Sequence, residues 1–323
     1  MSAEAGTPRH GPPDAAEVPR YSGIRTFARC PHTRDLEGVD VAAVGAPFDT
    51  TTSFRPGARF GPEAIRSASV LLRNYHPPLD VEVFSSLSVV DWGDAPVIPT
   101  NTQRSLDLIA GALGEVIDGG AVPICLGGDH LIALAELRAH AARHGPLALV
   151  LLDSHADTWE SYYGERYFHG TPFRRAVEEG LLRPERSLMA GMRGPLYSRR
   201  DLEDARELGF ELILWDELRG MEPAEYGRRV RERVGDAPAF LSFDIDFVDP
   251  AYAPATGTPE PGGPTSAEAL ALVRSLAGMR FRGFDVVEVS PPYDTAGQTT
   301  ALVASAVAYE LLALIAVASA GGR

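Results

Sequence analysis

Eight short apolar runs, separated by stretches of helical period, set the tightest limit on what this chain can fold into. They are "VDVAAVGAP" near residue 39, "SLSVVDWGD" near 86, "AVPICLGGD" near 121, "LALVLLD" near 147, "SLMAGMRG" near 187, "FELILWDE" near 210, "AFLSFDIDF" near 239 and "GFDVVEVSP" near 283. Such runs read as strands buried on both faces, whereas "TQRSLDLIAGALGEVIDGG" and "SAEALALVRSLAGMR" carry the period of amphipathic helices. The alternation predicts an α/β fold with a mostly parallel sheet of about eight strands. No linker composition appears after residue 40 and no repeat is visible, so residues 21–323 are expected to form a single domain. Residues 1–20, rich in Pro, Ala and charge, read as a flexible N-terminal arm without a signal-peptide core.

Charge and composition narrow the partners. A formal charge of −14 and a pI near 5.0 argue against a nucleic-acid or anionic-membrane surface, which needs a basic face to displace counterions. With 323 residues and 45% hydrophobic composition the chain can bury a large core. Its two cysteines, Cys30 and Cys125, are too few for a disulfide framework, and a reducing cytoplasm fits them. The stretch "ALVASAVAYELLALIAVASA" (301–320) is long enough to cross a bilayer, but Glu310 at its middle and its many small residues favour a helix packed inside the protein.

Polar residues gather where the strands end. Asp129 and His130 follow the third run, Asp153, His155 and Asp157 follow the fourth, Asp244 and Asp246 end the seventh, and Glu288 ends the eighth. In open parallel sheets ligands bind at the carboxyl ends of strands, where loops converge. Any one pair has a bland explanation as a turn former or helix cap. Two imidazoles with four carboxylates on one rim form a repulsive cluster unless cations neutralise it. Alternate residues of an extended segment point the same way, so Asp153, His155 and Asp157 are expected to share one face. The donor set, oxygen and nitrogen without thiolate, suits a hard to borderline divalent ion, and six side chains suit two ions sharing carboxylates. Four Asp charges balance two divalent cations, a setting in which bound water ionises near neutral pH, so a hydrolase is expected.

"GGDH" (127–130), "DSHAD" (153–157), "HGTPF" (169–173), "SFDIDFVDPAYAPATGTPEPGG" (242–263) and "DVVEVSPPYD" (285–294) together resemble the arginase/agmatinase, or ureohydrolase, family. "GAPFD" and "SFRPGARFGPEAIR" near the amino end are most similar to agmatinase-like members, and the resemblance runs from about residue 20 to the carboxyl terminus. It implies the three-layer arginase/deacetylase α/β/α sandwich, a trimeric or hexameric homo-oligomer and two Mn²⁺ per chain. His130, Asp153, Asp157 and Asp244 would hold one ion and His155 and Asp246 would complete the other, with Asp153 and Asp244 bridging. Two departures stand out. Ser154 replaces the usual Ala, and Ala255 replaces the usual Gly of "APGTGTP", which is expected to restrain the loop beside the pocket.

The implied reaction is hydrolysis of a small guanidino compound to urea and an amine, with agmatine to putrescine the favoured reading and guanidinobutyrate, or another guanidino acid, the alternative. A guanidinium is a resonance-stabilised cation and a poor electrophile for neutral water. Glu288 is the candidate to hold it through forked hydrogen bonds, with Asp157 beside it in the reacting site. His169 is the candidate proton relay to the departing amine, because imidazole titrates near neutrality. Asp129 reads as an orienter of ligands. The loop "TWESYYGERYF" offers Glu160, Glu165 and Arg166 to the substrate's far end, and Arg55, Arg59 and Arg66 read as intersubunit or surface ion pairs. A deacetylase-like amide hydrolase and a non-catalytic metal-binding regulator are the competing classes. The first is expected to use one ion, and the complete ligand set with Glu288 and His169 speaks against the second.

Overall fold

The computed structural model describes residues 9–320. All eight apolar runs form strands: β1 Val41–Ala46, β2 Val89–Asp94, β3 Val122–Gly127, β4 Ala148–Leu152, β5 Leu188–Ala190, β6 Glu211–Ile213, β7 Ala239–Asp244 and β8 Phe281–Val287. They make one sheet in the order β2-β1-β3-β8-β7-β4-β5-β6. Every neighbouring pair is parallel, so the expectation of a mostly parallel sheet is met with no antiparallel strand in it. An antiparallel pair, Tyr75–His76 with Val81–Glu82, lies outside the sheet, and nothing in its short sequence signals it.

The two buried faces of each strand split by period two. Val41, Ile124, Val150, Leu241 and Val286 belong to one core, whereas Ala42, Cys125, Leu149, Phe240 and Val287 belong to the other. Over the first core lie α1 (Gly61–Ser69), α6 (Pro223–Val234), α7 (Ser266–Arg274) and α8 (Thr299–Ala320). Over the second lie α2 (Thr102–Asp118), α3 (Ile132–His144), α4 (Pro172–Glu178) and α5 (Arg200–Glu207). The result is an α/β/α sandwich. Local signals start the helices: the Asn101 side chain accepts from Arg104 N–H, and Thr265 with Glu268 forms a capping box.

Helix α8 is long and apolar enough to cross a membrane by length and composition, yet most of its apolar stretch is buried against α1, α7 and the sheet. Glu310 explains itself there. It accepts from Arg274 of α7 and from His76 Nε2 at 2.9 Å, and His76 Nδ1 accepts from Leu79 N–H, which leaves the ring proton on Nε2. A buried acid in a helix is costly unless paired, and this pair ties α8 to α7 and to the 75–82 turn. The three arginines differ in depth: Arg66 is buried, Arg55 half-buried and Arg59 exposed. Arg66 is buried and forks onto Asp91 at 2.8 and 3.0 Å, Arg59 pairs with Asp49, and Arg55 lies over the Tyr293 ring. Of the expected arm, residues 1–8 lie outside the described residues; Arg9 bonds Asp35, and His10 C=O accepts from Val89 N–H.

The Glu310→Ala substitution, which strands the Arg274 guanidinium and the His76 ring N–H, should lower the unfolding free energy by about 3 kcal/mol in denaturant titration. Glu310→Gln, which keeps an acceptor, should cost less; equal stability of Glu310→Ala and the unaltered protein would contradict this role.

Candidate metal centre

Register brings the candidate ligands level. Leu126 of β3 pairs Val286 of β8, Val287 pairs Asp244 of β7, and Phe243 pairs Leu152 of β4. Four adjacent central strands therefore end together, and the residues just beyond them meet. The local paths differ from the expectation of an extended segment. After Leu152 the chain leaves strand geometry and Asp157 takes a left-handed φ of +49°, while Asp244 leads into a 3₁₀ turn, Ile245–Phe247. Asp153, His155 and Asp157 thus do not share one strand face; the loop curls, and they divide between two groups.

His130 Nδ1 faces Asp153 Oδ2 at 3.1 Å, Asp157 Oδ2 at 3.0 Å and Asp244 Oδ2 at 3.2 Å. His155 Nδ1 lies 3.0 Å from Asp246 Oδ2 and 3.6 Å from Asp153 Oδ1. Asp153 belongs to both groups, whereas Asp244 turns one oxygen toward His130 and accepts Asp246 N–H with the other at 2.8 Å. The same half-tied pattern recurs. Asp153 Oδ1 accepts His155 N–H at 2.6 Å, and Asp246 Oδ1 accepts Ser154 N–H at 3.1 Å and Ser154 Oγ–H at 2.7 Å. Asp153 Oδ2, Asp246 Oδ2 and His130 Nδ1 are buried with no hydrogen-bond partner. Buried polar atoms without partners are costly, and these converge. A cation at each group would satisfy them.

Electrostatics agree. Burial pushes Asp244 well above the usual carboxylate range, and Asp246 and Asp153 push it further. Burial lowers the His130 imidazole, but its three carboxylate neighbours outweigh burial and raise it well above its ordinary value. His155 is raised in the same way, against its burial, by Asp246 first and then Asp153. The pocket thus draws positive charge, and its hard oxygen and imidazole donors fit divalent cations.

Glu288 and His169 stand beside this cluster. Glu288, at a left-handed φ of +62°, accepts His130 N–H at 2.9 Å and His169 Nδ1–H at 3.0 Å on Oε1, while its buried Oε2 has no partner. His169 Nε2 accepts Ser53 N–H at 3.1 Å and lies 2.8 Å from Ser53 Oγ. Burial works to lower the His169 pKa, and Glu288 overrides it to give a net rise. Asp129 touches none of the six candidate ligands through its side chain; it accepts Thr51 N–H and Oγ–H and so anchors the loop that carries Ser53. Ser53, Ser242 and Asp285 were not legible as site residues, although an acid inside the apolar run "GFDVV" was a usable signal.

His155, Asp157 and His169 line the cleft over the cluster with Trp159, Leu196 and Asp201. Of the loop residues offered to the substrate's tail, none of Glu160, Glu165 and Arg166 lines it. Arg166 is exposed and donates to Glu178 at 2.6 Å, because the loop reverses at Tyr163 and Gly164 and swings it outward. Ala255 sits at an ordinary φ with its backbone bonded to Thr300 and Ser290, so a side chain there brings no strain.

Comparison with known proteins gives the following likenesses. A family model described as the arginase family matches residues 39–314. The chain is 45% identical to a guanidinopropionase of Pseudomonas aeruginosa over 96% of this chain and 97% of that one. It is 42% identical to a mitochondrial agmatinase of Gallus gallus over 94% and 89%. The solved structure of the proclavaminate amidinohydrolase of Streptomyces clavuligerus superposes with a TM-score of 0.89 at 42% identity, over 93% of this chain and all of that one.

Ser154, where Ala was expected, hydrogen-bonds the candidate ligand Asp246. Ser154→Ala should weaken divalent-cation binding at the His155 group by about tenfold, read by competition with a chelator; unchanged affinity would reduce the hydroxyl to a packing role.

Proposed function

Since this chain belongs to the arginase family and hydrolyses guanidino compounds, we propose that its substrate is agmatine, cleaved with one water to urea and putrescine. The observation that carries this choice is the wall of the cleft. Among the described residues, Asp201 is its only charged residue apart from the candidate ligands and His169, and no Arg or Lys lines it. A carboxylate among apolar and aromatic walls favours a cationic tail over an anionic one. A second reading, a guanidino acid as substrate, is supported by the similarity to the guanidinopropionase.

We assign His130, Asp153, Asp157 and Asp244 to one Mn²⁺ and His155 and Asp246, with the shared Asp153 and Asp244, to the other. The half-tied carboxylates support this assignment, because each keeps one oxygen fixed by an N–H and turns the other inward. Bound there, the ions supply Lewis acidity and make water nucleophilic near neutral pH. The chain's own residues do the rest. Glu288 Oε2, buried and unpartnered, accepts guanidinium N–H donors, while Oε1 stays on His130 N–H and His169. His169 keeps one proton at Nδ1 for Glu288 and, once protonated, holds a second at Nε2 beside Ser53. That second proton goes to the departing amine, and Glu288 stabilises the charged ring meanwhile. Trp159 and Leu196 exclude bulk water from the reacting carbon.

Cys30 and Cys125 are both free and buried, which supports a cytoplasmic setting. A homo-oligomer, trimeric or hexameric, is proposed from the family resemblance, and the acidic charge of −14 supports small-molecule rather than nucleic-acid or membrane partners.

His169→Asn should lower turnover by about 10² to 10⁴ with metal content unchanged; loss of metal would make it a ligand instead. In urea-release assays agmatine should exceed guanidinobutyrate in kcat/KM by about tenfold or more, a preference of about 1.4 kcal/mol. Asp201→Asn should narrow that gap. A higher kcat/KM for guanidinobutyrate or guanidinopropionate would overturn the agmatine assignment.

A further inference from the structure

Behind the candidate metal centre lies a buried polar chain that none of the hydrolytic roles uses. His130 turns Nδ1 toward the carboxylates, and its other ring nitrogen, Nε2, lies 2.8 Å from Ser242 Oγ. Ser242 lies 2.8 Å from Asp285 Oδ1 and 3.0 Å from Oδ2. Its single proton goes to the carboxylate, an acceptor only, so Ser242 can meet His130 only by accepting. The imidazole proton is thereby fixed on Nε2, and the lone pair on Nδ1 points at the cluster. Asp285 is held in turn by Phe243 N–H at 3.0 Å. His130, Ser242 and Asp285 are all completely buried.

An isolated carboxylate at such depth is costly. Glu136, from α3 and also buried, stands near Asp285, and its Oε1 has no hydrogen-bond partner. Burial first, and Asp285 second, raise Glu136 well above the carboxylate range, whereas Asp285 rises mainly by burial and only to about 6. Of the two, Glu136 is the more readily protonated and Asp285 the one that more readily keeps its charge. The hydrogen bonds then run in one sense: His130 donates to Ser242, and Ser242 donates to Asp285. Cys125 completes the pocket as a neutral thiol, its pKa raised well above normal by burial and then by Glu136.

We propose that Asp285, backed by Glu136, is a positioning residue that acts through the Ser242 hydroxyl to orient His130 and strengthen its Nδ1 as a metal ligand. A carboxylate one hydroxyl removed from an imidazole fixes the ring's tautomer and increases the electron density it offers a cation. The three strands involved, β3, β8 and β7, are neighbours, so the chain spans the sheet where the cluster sits. The inference rests on the reading that His130 holds an ion, and its test separates the two.

Metal-stripped protein is titrated with Mn²⁺ alone by calorimetry, and bound ions are counted after dialysis. The unaltered protein should bind two ions; if it binds none, the metal-centre reading fails and the positioning role fails with it. Given two ions, Asp285→Asn and Ser242→Ala should each weaken one of them by about 10- to 100-fold and leave the other within a few-fold. Glu136→Gln, which leaves the hydrogen bonds from His130 through Ser242 to Asp285 in place, should stay close to the unaltered protein. The double variant Asp285→Asn/Glu136→Gln, which removes the buried charge entirely, should be the weakest. Thermal unfolding is followed in parallel. Unchanged Mn²⁺ affinity in Ser242→Ala, with or without a loss of thermal stability, would overturn the proposal, as would an equal loss for both ions.

Discussion

Mutual repulsion among four carboxylates, gathered where β3, β8, β7 and β4 end side by side, is the constraint around which this molecule is organised. Asp153, Asp157, Asp244 and Asp246 stand in a space that excludes most water, and an unneutralised group of this kind would open the fold at its centre. Two imidazoles interleave them, and each raised histidine pKa records the same field. The sheet can bear that cost because both of its faces are sealed by helices and its strands contribute almost wholly apolar side chains to two cores.

The fold was legible because its signal is local and repeated. Each strand declares itself as a short apolar run, and the period of the intervening segments identifies the helices. The spatial order was not legible, since insertion of β8 and β7 between β3 and β4 depends on pairings between residues far apart in the sequence, such as Val286 with Leu126 and Phe243 with Leu152. The six candidate ligands could be chosen from sequence because every one lies at or shortly after a strand end. Their grouping could not, because it depends on the left-handed turn at Asp157 and the 3₁₀ turn after Asp244. Arg166 shows the same limit from the other side. Position in the sequence placed it near the pocket, but a reversal at Tyr163 and Gly164 carries it to Glu178.

Support around the cluster is layered. Backbone N–H groups two residues on fix one oxygen of Asp153 and of Asp244 within their own loops, and Ser154 reaches across from the neighbouring loop to fix one of Asp246. Asp129 fixes Thr51 and so the loop that brings Ser53 to His169. Glu288 joins the two halves of the site, since one oxygen holds both the His130 backbone and the His169 ring. Its left-handed backbone is strained for a residue with a side chain, and strain of that sort persists where the surrounding contacts over-determine it.

Whether the carboxylates are arranged for two cations is the claim on which the rest depends. Crystals of the protein grown with Mn²⁺ and measured at the manganese absorption edge give the most direct answer. Two anomalous peaks are expected, one among His130, Asp153, Asp157 and Asp244 and one among Asp153, His155, Asp244 and Asp246. A single peak, or peaks only at surface acids, would contradict the account.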